Sequence, residues 1–152
     1  MKILDVMPIE AILDDLKSQT KKGALEELVA PLAEITGQDH KDLVRVLMDR
    51  ERLGSTGIGG GIGIPHGKIK DLENLVLGFG LSRKGVDFEA IDGQPTRIFF
   101  ILITPENSTG LHLKLLARIS RILKNDHFKE RLLNAADRTE IFEIIKEEDE
   151  DF

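Results

Sequence analysis

Apolar residues recur at intervals of three and four along the first third of the chain. Ile9, Ile12, Leu13 and Leu16 follow Pro8 at that spacing and predict a first helix with the proline in its opening turn. Ala24, Leu25, Leu28, Val29, Leu32 and Ile35 predict a second over 21–36; Pro31 should kink it and Gly37 should end it. Leu43, Val46 and Leu47 predict a third over 39–52, with Asp39 as its cap. The period then changes. LVLGFGL at 75–81 and RIFFILIT at 97–104 are short, rich in β-branched and aromatic residues and bounded by turn formers, so they predict strands. The second is almost unbroken in hydrophobicity, the pattern of a central strand covered on both faces. Val86, Asp87 and Phe88, with the Asp92-Gly93 turn, predict a short hairpin element, and 62–65 a further strand. Helical spacing returns after Ser108 or Thr109, either of which can cap a helix to about 124 with Leu111, Leu115, Leu116, Ile119, Ile122 and Leu123 inward. Two shorter helices, 126–135 and 139–146, complete the pattern. Helices, strands and helices in that order predict an α/β fold: a mixed β-sheet sandwiched between helices in a single domain over 1–146.

At 152 residues the chain has the size of one domain with a proper core. It contains no Cys, which excludes a disulfide framework, a thiol nucleophile and an iron–sulfur site. The acidic N-terminal segment lacks the apolar core of a signal peptide, and no stretch approaches the roughly 20 apolar residues of a membrane span. The expected location is cytoplasmic, without membrane insertion. The formal charge of −6 comes mostly from five consecutive acids at 147–151; without them 22 acids face 21 bases. Residues 147–152 are therefore expected to form a solvated acidic tail. No basic stripe exists and Trp and Tyr are absent, so nucleic-acid binding has no support.

The chemistry concentrates in GSTGIGGGIGIPHG at 54–67, which holds seven of the 14 glycines and leads to His66. The spacing fits neither a Walker loop nor a dinucleotide fingerprint. Ile62 stands where the first Walker glycine would be, and Ile62, Ile64 and His66 occupy the third-glycine positions of the three possible G-x-G frames. His40, His66, His112 and His127 show no metal-ligand spacing, so no metal or cofactor is expected. His40 is read as an exposed first-turn residue and His127 as structural or exposed. Imidazole has an unperturbed pKa of about 6.5 and is mostly an unprotonated nucleophile at neutral pH. Attack on phosphorus gives a phosphoramidate that can pass the group onward, with the protein supplying position and charge stabilisation. Successive glycines offer backbone N–H groups to phosphoryl oxygens. Ser55 and Thr56 add hydroxyl donors, Gly57 and Gly67 belong to the same bed, and Ile58, Ile62 and Ile64 suit an apolar rim for a partner protein. The residues alone leave a second reading open, a tight loop whose His only hydrogen-bonds the backbone.

The segment ERLGSTGIGGGIGIPHGK resembles the signature of the type-2 enzyme IIA domains of the bacterial phosphoenolpyruvate-dependent phosphotransferase system. These comprise the fructose- and mannitol-type domains and a nitrogen-type regulatory relative. The match is dense over about 49–68, and the helix–strand–helix plan fits the whole chain. The resemblance implies a phosphotransferase in which His66 accepts a phosphoryl group from a histidine phosphocarrier protein (HPr or a nitrogen-type equivalent). It implies that Arg50, 16 residues earlier, stabilises the phosphoryl group. It also implies that His112, in Gly110-Leu111-His112-Leu113, orients His66 or contacts its phosphate from the start of a helix. Gly60 departs from the pattern, since many relatives carry Asn or a similar polar residue there. The stand-alone chain, the His-Gly-Lys sequence in place of the PHAK of many fructose-type domains, and the lack of sugar-recognition machinery favour a nitrogen-type regulatory protein. Its partner would be a regulated target protein; the alternative is a sugar-specific domain passing phosphate to a IIB domain.

Overall fold

In the computed structural model, which describes residues 2–150 apart from the side chain of Thr109, the apolar runs settle into six strands and five α-helices among the described residues. In chain order they are β1 (Ile12–Leu13), α1 (Lys21–Thr36), α2 (His40–Arg52), β2 (Gly57–Gly59), β3 (Ile62–Gly63), β4 (His66–Ile69), β5 (Val76–Val86), β6 (Thr96–Pro105), α3 (Thr109–Ile122), α4 (Asp126–Leu133) and α5 (Arg138–Glu150). The strands form one mixed sheet. β5 and β6 are antiparallel, with Phe79 opposite Phe100 and Val76 opposite Ile103. β1 runs parallel along the outer side of β5. On the other side of β6, β3 and then β4 lie end to end, both parallel to it, and β2 turns back on β3.

Alternation along β5 and β6 sends successive side chains to opposite faces. Leu77, Phe79, Leu81, Ile98, Phe100 and Leu102 pack against α3, α4 and α5, while Val76, Phe99, Ile101 and Ile103 pack against α1 and α2. β6 is buried throughout save for a half-buried Arg97, because both faces carry helices. The fold is thus the predicted single-domain α/β sandwich with a mixed sheet. No helix among the described residues is long and apolar enough to cross a membrane.

Four local expectations need correction. The segment after Pro8 forms a single 3-10 turn, Ile9–Ala11, and then β1, because Ile12 and Leu13 pair with Phe79 and Gly80; four apolar positions cannot nucleate a helix against that pairing. Val86 ends β5 opposite Thr96, and the Asp92-Gly93 turn lies in the connection to β6, so no separate hairpin forms there. Leu111 is 47% exposed, since the first turn of α3 turns His112 inward instead. Finally, 147–150 is no frayed tail but the last turn of α5. Asp149 is 1% exposed and accepts hydrogen bonds from the Ile3 and Leu4 amides (3.1 and 3.2 Å) and from Arg118 Nε (2.8 Å). Asp151 and Phe152 lie outside the described residues. The remaining helices follow the reading closely. α1 continues through Pro31 and ends at Gly37 in the left-handed conformation (φ 74°), and Asp39 caps α2 by accepting from the Asp42 amide. Ser108 holds the N-cap position of α3 without a side-chain capping bond.

Candidate active site

His66 is the first residue of β4, opposite Leu102 of β6, and is half-buried. Pro65 precedes it at the break between β3 and β4, and the Pro65 carbonyl accepts from the Leu102 amide at 2.9 Å. The histidine is therefore fixed by sheet pairing at the head of a strand instead of riding on a loop tip. Its Nδ1 lies 2.8 Å from the Ile64 carbonyl oxygen. A carbonyl only accepts, so this nitrogen carries the proton and Nε2 keeps its lone pair.

α3 delivers a second imidazole to the same place. The His112 ring meets the His66 ring edge-on, with centroids 5.1 Å apart and planes at 77°. His112 is buried, and its Nδ1 lies 3.2 Å from Thr104 Oγ1 at the end of β6. Burial pushes its pKa below the usual histidine range, and the nearby charges of His66 and Lys68 push the same way. His112 is thus held neutral at pH 7, able to donate from one nitrogen and accept at the other.

Arg50 reaches this end of the sheet through α2. That helix packs on β4, and a Cβ built on Gly67 would stand 2.9 Å from Val46 Cγ1, so Gly67 sets how closely the two elements meet. Arg50 follows Val46 by one turn on the same helix face. Its Nη1 donates to the Gly54 carbonyl at 2.9 Å, not to His66. The structure thus brings His66 and His112 into contact and tethers Arg50 to the loop that follows α2.

The glycine loop differs from the expected phosphoryl bed. Gly57–Gly59 and Ile62–Gly63 form a tight hairpin, with Gly59, Gly60 and Gly61 all at positive φ (93°, 65° and 80°), the conformation that a two-residue turn requires and L side chains resist. Several of its donors are engaged within the protein. Ser55 Oγ donates to the Phe88 carbonyl (2.8 Å) and accepts from the Gly57 amide (3.0 Å). The Thr56 hydroxyl and amide both donate to the Glu51 carboxylate, the amide at 3.0 Å. The Gly60 amide donates to Asp92 Oδ2 at 3.0 Å, and the Gln94 amide and this bond hold the Asp92 carboxyl below the usual range. In this structure Ser55, Thr56 and Gly57 therefore bond to the protein itself. Of the expected rim, Ile58 is 45% exposed, whereas Ile62 and Ile64 are buried in the core. An exposed apolar group near Ile58 is Ile91, whose amide donates to the Gly57 carbonyl; Leu111 and Leu113, also exposed, flank His112 in sequence. His40 is half-buried and its Nε2 meets the Glu26 carbonyl at 2.9 Å, while His127 is exposed on α4.

Two residues escaped the sequence reading. Thr104 is a lone hydroxyl at the end of the apolar run of β6, and Glu51 is an acid four residues after Leu47 on the inner stripe of α2. A polar residue at an otherwise apolar position was the available signal in both cases. Among the described residues no group of three or more His, Asp or Glu is placed to hold a metal ion.

Residues 5–148 match the family described as the phosphoenolpyruvate-dependent sugar phosphotransferase system, EIIA 2. The chain is 42% identical to a nitrogen regulatory protein of Bradyrhizobium diazoefficiens over 95% of both chains. It is 34% identical to part of a fructose-specific EIIABC component of Bacillus subtilis, over 98% of this chain and 24% of that one. Its fold superposes on the crystal structure of the nitrogen regulatory protein IIA-Ntr from Neisseria meningitidis with a TM-score of 0.87, at 33% identity and covering 93% of this chain and 97% of that one. With the matched residues spanning nearly the whole sandwich, the chain belongs to the EIIA type 2 family of the phosphotransferase system, a family of phosphoryl transfer.

Proposed function

We propose that His66 Nε2 accepts a phosphoryl group from a phosphohistidine on a carrier protein, HPr or a nitrogen-type equivalent. The observation that carries this reading is the Nδ1–H bond to the Ile64 carbonyl, which leaves the Nε2 lone pair free. In the transfer, that lone pair forms a new N–P bond. The donor's P–N bond breaks and its electron pair returns to the donor imidazole. The proton on Nδ1 stays where it is, and the Ile64 carbonyl stabilises the positive charge that spreads into the His66 ring. His112, neutral and 5.1 Å away ring to ring, can donate from Nε2–H to a phosphoryl oxygen while its Nδ1 accepts from the Thr104 hydroxyl. Arg50 supplies the cation once its guanidinium turns from Gly54 to the incoming group. The exposed Ile58, Ile91 and Leu113 suit the docking of a partner protein around the acceptor.

The regulatory form of this activity is favoured by the 42% identity to a nitrogen regulatory protein along both full lengths. A phosphoryl group adds about −1.5 to −2 charges to this apolar rim, enough to turn away a partner that docks on the neutral form. The identity to a fructose-specific component supports the second reading, transfer onward to a IIB domain. Incubation with phosphoenolpyruvate, enzyme I and the histidine phosphocarrier tests both. Wild type should take up acid-labile, base-stable phosphate and His66→Ala none; chase of that label onto a IIB domain would favour the sugar reading. Equal partner binding by phosphorylated and unphosphorylated protein would refute the regulatory one.

A further inference from the structure

We propose that the buried Lys21–Glu51 ion pair is a positioning device for His66, an inference that rests on the phosphoryl-accepting reading of that histidine. Glu51 is 5% exposed, on the inward face of α2 directly after Arg50. A carboxylate so far from water needs several partners. It has three: Lys21 Nζ at 3.1 Å from Oε1, the Thr56 amide at 3.0 Å and the Thr56 hydroxyl. Lys21, at the start of α1, is equally confined. Its ammonium sits 4.9 Å from the Phe88 ring centroid and 3.6 Å from Glu89.

From this pair a continuous line of hydrogen bonds leads to the acceptor. Glu51 fixes Thr56 through its amide and its hydroxyl. The Thr56 carbonyl accepts from the Ile64 amide at 3.0 Å, and the Ile64 carbonyl accepts from His66 Nδ1–H at 2.8 Å. The group that sets the tautomer of His66 is therefore placed through Thr56, a residue that Glu51 holds by both its amide and its hydroxyl. The same residue ties down the other end of the loop, since its main-chain carbonyl accepts from the Gly54 amide at 3.0 Å, and Gly54 is the group that Arg50 grasps. Glu51 touches neither His66 nor the transferred group. It acts through Thr56 and Ile64, and Lys21 supplies the opposite charge beside its carboxylate.

The test uses the full chain with 15N-labelled histidine. Long-range 1H–15N spectra of the unphosphorylated protein read the His66 tautomer. Phosphorylation by the phosphorylated histidine phosphocarrier is followed at rising carrier concentration. In Glu51→Gln the single Nδ1–H tautomer should give way to a mixture. The saturating rate should fall about ten- to a hundredfold, the cost of sub-ångström misplacement. The half-saturating carrier concentration should stay within about twofold, because the docking rim is untouched. Thr56→Val, which removes one donor and no charge, should move both readouts the same way by less, and decides the matter if Glu51→Gln does not fold. A folded Glu51→Gln or Thr56→Val protein with the wild-type tautomer and rate overturns the proposal. A wild-type protein that takes no phosphate would sink the functional reading instead, leaving the tautomer spectra to judge the positioning role.

Discussion

Gly67→Ala places a methyl group at the contact between the strand that carries His66 and the helix that carries Arg50. The new Cβ would lie 2.9 Å from Val46 Cγ1 and 3.5 Å from Leu47 Cδ2. Ordinary carbon contacts need about 3.5–4.0 Å, so one side must give by more than half an ångström. β4 cannot retreat, because Gly67 is paired to Ile103 of the central strand. α2 must move or Val46 must leave its rotamer, at about 1–3 kcal/mol for overpacking. Gly67 has no positive φ, so alanine also stiffens the unfolded chain and returns about 0.4–1 kcal/mol. The net expectation is a loss near 1 kcal/mol, or about 2–4 °C in Tm for a chain of this size. Urea denaturation of wild type, Gly67→Ala, Val46→Ala and the double variant measures it. The double variant should be more stable than the sum of the single losses by about 1 kcal/mol, because Val46→Ala makes the room that the new methyl needs. A Gly67→Ala protein at least as stable as wild type, or purely additive losses, would refute the packing argument.

Three further outcomes follow from the same geometry. Asp149→Ala removes the carboxylate that accepts from Arg118 Nε and from the Ile3 and Leu4 amides and should cost about 1–3 kcal/mol in urea denaturation, where loss of a solvated tail residue would cost nothing. The NMR titration midpoint of His112 should lie below about 6.5 and rise when His66 is phosphorylated; since a depressed pKa means the unfolded chain binds the extra proton first, stability falls as pH drops from about 6.5 towards that midpoint and levels off below it, and His112→Gln should flatten that part of the Tm profile. Ile58→Asp should raise the half-saturating concentration of the histidine phosphocarrier about tenfold with Tm unchanged, because the side chain is exposed and makes no core contact.

The architecture was legible wherever periodicity ran long. α1, α2 and the apolar run of β6 fall within a residue or two of their expected bounds, since hydrophobic spacing over ten or more residues reflects what the sheet and helices must bury. Short patterns misled. Ile9, Ile12, Leu13 and Leu16 have helical spacing, yet Ile12 and Leu13 serve as a strand because β5 offers them a partner that no local rule reveals. The acidic run at 147–151 read as solvated because charge is normally outside; Asp149 is inside because Arg118 and the N-terminal amides, far away in sequence, meet it there. At the candidate site the motif singled out His66, Arg50 and His112, and the fold brings the two imidazoles into ring contact. The hydrogen bonds of Ser55 to the Phe88 carbonyl and of Thr56 to the Glu51 carboxylate were not legible, because hydroxyls beside a glycine loop suit a ligand or the loop's own structure equally well and only the fold supplies these partners.

The most direct test of the account is to locate the phosphoryl group on the phosphorylated protein at the level of single nitrogens. Long-range 1H–15N and 31P spectra of the 15N-histidine-labelled chain, phosphorylated through the histidine phosphocarrier, should show one phosphohistidine, at His66 Nε2, with the Nδ1 proton retained on the Ile64 carbonyl. Phosphate on Nδ1 of His66, or on His40, His112 or His127, would contradict it.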